Sequence, residues 1–319
     1  MSFSANVKEE LSNQQNQARH CQIAELAALI GFCGIITVNS RSRYGLKIHT
    51  ENKAVARKVF TLIEKTFNIE AGISIRRNME KHSTAYSIVV KAHEDALRIL
   101  QAVKLVDESR DGFEEIEVMS PIVTQQTCCK RAFLRGAFLA AGSMSDPKKS
   151  YHFEIVCSAR KMAVRIQELM CSFMMDAKIV QRKKVYVVYL KEGAQIVDML
   201  NIMEAHISLM ELENVRILKE MRNTVNRKVN CETANINKTV SAAVKQLEDI
   251  TYLRDKVGLE KLPEGLEDMA LMRLSHPDAT LKELGELLSP PVGKSGVNHR
   301  LRKIGELADK VRQNQGGLL

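Results

Sequence analysis

The chain has 319 residues, 45% hydrophobic and 27% charged, which is the composition of a globular protein with two or three domains. Aromatic residues make up 5% and Trp is absent, which disfavours a single-strand binder that stacks bases on aromatic side chains. The formal net charge of +9 permits nucleic acid, an anionic membrane or an acidic protein as the partner.

The seven cysteines form no C-x-x-C pair, and no His/Cys group has zinc-finger spacing. We therefore expect buried free thiols in a reducing compartment, with no metal and no cofactor. No signal peptide and no run of about 18 apolar residues can be recognised, so the sequence predicts a cytoplasmic protein.

The first half of the chain predicts a short amphipathic helix and then an αββαββα order. The opening helix covers residues 4–15, with Ser4 as its N-cap. After this helix, the spacing of hydrophobic residues switches between the 3.6-residue period of a helix and the two-residue alternation of a strand. The predicted elements are a helix over 22–32, strands over 35–38 and 44–49 around a turn at 39–42, a helix over 52–67, strands over 71–77 and 85–91, and a helix over 94–103.

The second half predicts the same order after a polar linker, Asp107–Glu117. Its elements are a helix over 127–141, a strand over 151–158, a helix over 160–174, strands over 179–183 and 185–191, and a helix over 194–203. Leu26–Gly34 and Leu134–Gly142 are similar segments at an offset of 108 residues, which also aligns Arg57 with Arg165. The sequence therefore predicts one supersecondary unit used twice.

Both of these segments resemble the LAGLIDADG motif of homing endonucleases. The resemblance implies two motif helices packed side by side through small residues, at the centre of a pseudo-twofold domain. It also places the metal-binding acids at the eighth letter of each motif, where this chain has Cys33 and Ala141. Mg²⁺ requires oxygen ligands, and Asp146 lies beyond the motif, so we predict no enzymatic activity.

The same resemblance implies a saddle-shaped sheet along a DNA duplex, with hairpin cations facing phosphates. The cations so placed are Arg41, Arg43 and Lys47 in the first unit and Arg182, Lys183 and Lys184 in the second. The alternative is a solvated sheet edge, since Lys and Arg commonly protect exposed strands.

Residues 207–255 are predicted to be helical throughout. The segment between Arg216 and Lys238 is rich in cations and amides, as in helices that contact phosphates. Arg222, Arg227 and Lys228 are its candidate phosphate contacts, and a solvated linker helix is the alternative.

The last sixty residues predict short helices with a helix-turn-helix. A helix over 264–274 ends at His276-Pro277, and Thr280 with Glu283 fits a capping box at the start of a helix over 281–288. Gly285 would allow a second helix to approach closely, and residues 289–293 form the turn. The following helix, 294–304, buries Val297, Leu301 and Ile304.

The opposite face of that last helix carries four cations and no acid between residues 294 and 303. A helix-turn-helix places its second helix in the major groove, where Arg binds guanine and Asn binds adenine. We expect Ser295, Asn298 and His299 to contact bases, and Lys294, Arg300, Arg302 and Lys303 to contact phosphates. Thr280 is the last candidate DNA contact. The pattern of this segment resembles the promoter-binding helix-turn-helix of sigma factors. A helical hairpin without a DNA role is the alternative.

A degenerate LAGLIDADG domain joined to a C-terminal helix-turn-helix resembles the bacterial WhiA family, as does the start Phe3–Leu11. The resemblance covers nearly the whole chain. It implies an α+β protein that binds double-stranded DNA at the nucleoid and regulates transcription. Another transcription regulator or RNA polymerase would be a further partner.

In that family the regulation is linked to sporulation in actinobacteria, and to cell division and chromosome segregation in firmicutes. The predicted domains are two repeats over 1–106 and 118–205, a helical linker over 206–262 and the helix-turn-helix domain over 263–319. An active Mg²⁺ nuclease and a scaffold that senses a ligand or a protein are the alternatives.

Overall fold

The computed structural model describes residues 2–38, 43–79, 83–106 and 120–315. The predicted turn at 39–42, with Arg41, and the predicted linker Asp107–Glu117 lie outside the described residues. The chain divides into two compact units, Met1–Glu220 and Met221–Leu319.

The first unit contains two successive αββαββα repeats after an opening helix. The first repeat and its preceding helix comprise α1 Phe3–Asn13, α2 Arg19–Cys33, β1 Gly34–Val38, β2 Tyr44–Thr50, α3 Lys53–Phe67, β3 Gly72–Asn78, β4 Ser83–Val90 and α4 His93–Ala102. The second comprises α5 Thr127–Ala141, β5 Gly142–Met144, β6 Phe153–Cys157, α6 Arg160–Cys171, β7 Lys178–Arg182, β8 Val185–Leu190 and α7 Gly193–Met203.

The remaining helices are α8 His206–Lys256, which runs from the first unit into the second, α9 Leu266–Ser275, α10 Leu281–Leu287 and α11 Lys294–Gln315. No helix among the described residues is long and apolar enough to cross a lipid bilayer.

The two repeats have the same sheet topology. Their antiparallel sheets have the strand orders β1-β2-β4-β3 and β5-β6-β8-β7, so that β4 and β8 hold equivalent central positions. Ile48 pairs with Ile88 in the first sheet and Ile155 with Val188 in the second, and all four side chains are buried in the core of the unit. The predicted α+β class is confirmed, with a duplicated αββαββα domain followed by an all-α helix-turn-helix domain.

Three local predictions were wrong. Ser2, and not Ser4, caps α1, because its Oγ accepts from the Ala5 amide at 3.3 Å. Helix α6 ends at Cys171 instead of Met174, whose φ of 64° is left-handed and cannot continue a helix. Strand β5 was not predicted, since three residues are too few for a recognisable alternation.

The predicted close contact between the motif helices is confirmed, because α2 and α5 pack directly against each other. A Cβ at Gly136 would lie 2.5 Å from the carbonyl oxygen of Glu25 and 3.0 Å from the Ala28 Cβ. Only a residue without a side chain permits this backbone separation.

An ion network that the sequence did not indicate is buried at the same contact. Arg135 binds both carboxylate oxygens of Glu25, at 3.1 and 3.2 Å, and also bonds Glu204 at 2.6 Å. Lys58 lies 3.2 Å from Glu25, and Glu25 has 0% exposure. Burial lowers the pKa of Lys58, although the negative charge of Glu25 acts to raise it.

The cysteines were predicted to be buried, and this is correct for only part of the set. Cys21, Cys129 and Cys157 are buried and Cys33 is half-buried, whereas Cys128, Cys171 and Cys231 are exposed; all seven are free thiols. The exposed members lie near helix ends or on the exposed stretch of α8, where apolar neighbours in the sequence do not ensure burial.

Candidate DNA interface

The C-terminal helices pack around a small hydrophobic core of their own. Leu284 and Leu288 from the α10 region meet Val297, Leu301 and Ile304 from α11, as predicted. Arg312 of α11 bonds the buried carboxylate of Asp249 on α8 at 2.7 Å, and its guanidinium lies 4.8 Å from the Tyr252 ring centre. These contacts fix the orientation of α11 on the last turns of α8.

The first helix of the pair begins at a complete capping box, as predicted. The Thr280 hydroxyl oxygen accepts from the Glu283 amide at 3.3 Å, and the Glu283 carboxylate accepts from the Thr280 amide at 2.7 Å. These hydrogen bonds lower the pKa of Glu283. The hydroxyl proton of Thr280 stays available, because the cap uses only a lone pair of its oxygen.

The turn between α10 and α11 closes onto Gly285. The Val292 amide donates to the Gly285 carbonyl at 2.9 Å, and a Cβ at Gly285 would overlap the Val292 carbonyl oxygen. The Val297 side chain would also lie 3.2 Å from that Cβ, which confirms the predicted close approach of α11. Gly285 therefore fixes how the second helix follows the first.

The exposed face of α11 gathers most of the predicted contact residues. At about 100° per residue, Val297, Leu301 and Ile304 form one buried stripe. The opposite half of the helix is exposed and presents Lys294, Ser295, Asn298, His299, Arg302 and Lys303. A helix with its side chains is about 10–12 Å across, so a major groove about 12 Å wide can take this face.

Most side chains on this face are unpaired. Within the described part of the chain, no side-chain hydrogen bond or ion pair involves Lys294, Ser295, Asn298, His299 or Lys303. Arg302 bonds Glu306 at 3.2 Å in an exposed pair, which is weak and readily exchanged for another anion. Arg300 differs from the others, because it is half-buried at the flank with its guanidinium about 3.5 Å from the Cβ position of Gly265.

The other predicted cations lie on separate elements. Arg222, Arg227 and Lys228 are exposed on α8. Lys183 and Lys184 are exposed in the β7–β8 turn of the first unit, next to Arg182, which bonds Glu154 at 3.0 Å. Burial acts to raise the pKa of Glu154, but hydrogen bonds from His152 and Ser143 together with the charge of Arg182 lower it overall, so Arg182 faces a carboxylate.

The C-terminal ends of the motif helices contain the residues that replace catalytic acids. The Cys33 thiol contacts the Ala140 carbonyl at 3.9 Å, and burial raises its pKa despite the Lys8 charge. Asp146 accepts from the Lys148 amide in its own turn. Across the described ranges, no group of three or more His, Cys, Asp or Glu ligands converges at these ends.

Three protein-family models match the chain in succession. They are described as the WhiA N-terminal LAGLIDADG-like domain, the WhiA LAGLIDADG-like domain and the WhiA C-terminal HTH domain, over residues 19–106, 130–222 and 225–308.

Full-length relatives match in the same way. The chain is 57% identical to the probable cell division protein WhiA of Lachnoclostridium phytofermentans, covering 98% of this chain and 100% of that protein. It is 50% identical to the probable cell division protein WhiA of Alkaliphilus oremlandii, over 99% of both chains. The crystal structure of full-length WhiA from Thermatoga maritima is similar with a TM-score of 0.59 and 25% identity, over 97% of this chain and 99% of that one.

Proposed function

Because this chain belongs to the WhiA family, we propose that it is a non-catalytic, sequence-specific DNA-binding protein that regulates transcription. The observation that carries the proposal is the exposed face of α11, which follows the capped helix α10. This face has no acid between residues 294 and 303, and most of its side chains are unpaired. Since curated relatives are called probable cell division proteins, we place the regulated process in cell division. Chromosome segregation and sporulation are the alternatives within the family.

Each side chain on this face has a chemical role in the proposal. Ser295, Asn298 and His299 offer neutral donors and acceptors to base edges, while Lys294, Arg302 and Lys303 bind phosphates. Arg300 is assigned to a phosphate at the flank of the helix, where it lies against Gly265. The hydroxyl of Thr280 donates to a phosphate at the start of α10.

The remaining cations define a second, weaker contact region. We propose that Arg222, Arg227 and Lys228 on α8, and Arg182, Lys183 and Lys184 on the second sheet, add phosphate contacts. We keep the predicted division into two repeats, a helical linker over 206–262 and a DNA-binding domain over 263–319. In this arrangement the protein associates with the nucleoid, and the repeats support the DNA contact or recruit another regulator or RNA polymerase.

The deciding experiment measures DNA affinity against salt concentration by fluorescence anisotropy, using duplexes recovered from genome-wide crosslinking. The double variant Arg302→Ala with Lys303→Ala should bind all sequences more weakly and reduce the salt slope by about 2. Arg254→Ala with Lys256→Ala is the matched control, because it also removes two exposed cations, one of them from an exposed ion pair. A salt slope equally reduced in both double variants would contradict the proposal.

The nuclease alternative makes a different prediction. Mg²⁺-dependent cleavage needs carboxylates at the motif ends, where this chain has Cys33 and Ala141. Plasmid nicking that persists through purification and stops when a chelator is added would therefore contradict our proposal and support the nuclease alternative.

One cleft that could serve a ligand-sensing role lies in the first repeat beside α1 and α3. Its cations are already engaged: Arg57 bonds Glu9 and Asn13, Lys58 bonds Glu25 and the Gln14 carbonyl, and Lys65 bonds Gln15. An anionic ligand would have to break these contacts, so we favour the DNA-binding function.

A further inference from the structure

The N-terminal ends of the two motif helices bring four metal-ligating side chains together. His20 and Cys21 open α2, and Cys128 and Cys129 open α5 at the same offset of 108 residues that relates the repeats. One ligand atom from each of the four side chains lies within 4.8 Å of all the others. The pairs are 108 residues apart in the sequence, which is far outside the ligand spacing of zinc fingers and related motifs.

We propose that His20, Cys21, Cys128 and Cys129 form a binding site for a thiophilic divalent cation, with Zn²⁺ as its ligand. Three sulfurs and one imidazole nitrogen are a recognised ligand set for tetrahedral structural zinc. The group contains no oxygen ligand, which disfavours Mg²⁺ and Ca²⁺.

The distances agree with such a centre. Zn–S bonds of about 2.3 Å and Zn–N bonds of about 2.0 Å place the ligand atoms of a tetrahedron roughly 3.5–3.8 Å apart. Here the His20 Nδ1 lies 3.1 Å from the Cys129 sulfur, 3.3 Å from that of Cys21 and 3.9 Å from that of Cys128. These three distances lie within about 0.4 Å of the tetrahedral values, and all four atoms lie within 4.8 Å of one another, so closure around an ion requires sulfur shifts of at most about 1 Å.

Hydrogen bonding to His20 alone does not account for the arrangement. A ring nitrogen has either one proton or one lone pair, so Nδ1 of His20 can satisfy only one of the three sulfurs around it. A cation at the centre would instead bond all four atoms at once.

Burial and electrostatics also fit a bound cation. Cys21 and Cys129 are each 5% exposed, whereas His20 and Cys128 are exposed, which gives the ion a route from solvent to the buried pair. Three thiolates with Zn²⁺ would have a net charge of −1, and two helix N-termini, those of α2 and α5, favour negative charge here. Thiolates, and not thiols, are the metal ligands, so cation binding would release thiol protons.

This site is distinct from the catalytic metal site that the homing-endonuclease resemblance implies. That site belongs at the C-terminal ends of the motif helices, and Cys21 and Cys33 are separated by about 18 Å of α2. A cation at the N-terminal ends would instead link α2 to α5 and stabilise the contact between the two repeats.

The test uses the full-length chain with its thiols kept reduced by a phosphine, and Zn²⁺ alone as the probe. We expect one Zn²⁺ per chain by atomic emission after desalting. Competition with a chromophoric chelator should show that Cys128→Ser weakens Zn²⁺ binding by more than about 100-fold, since loss of an outer partner alone costs 10–100-fold. His20→Asn is a second variant at an exposed position, where folding is least affected.

Cys171→Ser is the matched control, because it also removes an exposed thiol on a helix and should leave Zn²⁺ binding unchanged. Co²⁺ should give the visible absorption of a tetrahedral thiolate complex, and Zn²⁺ should raise the melting temperature of the parent but not of Cys128→Ser. Less than one Zn²⁺ retained per chain, or equal losses in Cys128→Ser and Cys171→Ser, would overturn the proposal. None of these measurements involves DNA, so failure of the zinc proposal would not affect the proposed function.

Discussion

Asn298 is the residue on which the proposed sequence preference most directly depends. Its amide can form two hydrogen bonds with an adenine edge, and it makes no hydrogen bond or ion pair within the described residues. Asn298→Ala should therefore leave stability almost unchanged and cost about 1–3 kcal/mol of discrimination at one base pair. Binding to a set of single-base site variants measures this cost, with Asn237→Ala, also exposed on a helix, as the control. An unchanged site preference would contradict the assignment.

Gly285, inside α10, and Gly293, at the end of the turn, form a matched pair of glycines. A Cβ at Gly285 would overlap the Val292 carbonyl, whereas a Cβ at Gly293 would meet nothing within 4 Å. Gly285→Ala should destabilise the helix-turn-helix by about 1–3 kcal/mol through overpacking, and Gly293→Ala should be neutral. Urea unfolding followed by circular dichroism gives both values. Equal effects would mean that close packing at Gly285 does not control the turn.

At the level of elements, the contact between α2 and α5 includes a buried ion network as well as small residues. Removing Arg135 leaves Glu25 buried with Lys58 as its remaining cation. Arg135→Leu should destabilise the first unit by about 3–5 kcal/mol, as expected when one partner of a buried pair is lost. Arg131→Leu, one turn earlier on α5, removes an Arg that is 36% exposed, with its 4.0 Å pair to Glu204 and its hydrogen bonds to the Asn201 and Ile202 carbonyls, and should cost less, about 1–2 kcal/mol. Comparable losses in chemical denaturation would show that burial of the pair is energetically unimportant.

The elements also show what the sequence could and could not predict. Long periodic segments were placed well: α5 has the predicted bounds, and α8 begins and ends within one residue of its predicted bounds. Helix α11 begins at Lys294 as predicted but extends to Gln315, well beyond the predicted end at residue 304. The short strand β5 was missed because three residues contain no period. Both unpredicted clusters, around Glu25 and around His20, consist of side chains from different helices about 110 residues apart. The offset of 108 could have indicated the second, since it aligns His20-Cys21 with Cys128-Cys129.

At the scale of the whole molecule, the described residues form two hydrophobic cores that share no residue. The first includes the side chains of both repeats and Leu212 of α8, and the second includes Ile250 and Leu253 of α8 with α9–α11. One helix therefore contributes to both cores, while its exposed stretch around residues 221–240 belongs to neither. This arrangement is typical of two cooperative units on a common element.

We expect scanning calorimetry of the full-length chain to show two transitions, each controlled by one core. Leu301→Ala removes a side chain that is 3% exposed in the second core and should cost about 2–5 kcal/mol there. It should lower one transition only, and Arg135→Leu should lower only the other, because the affected side chains pack in different cores. Specific DNA should raise the transition that Leu301→Ala lowers, since a ligand stabilises the unit that binds it. A single transition that moves with both variants would instead mean that α8 makes the two units unfold together.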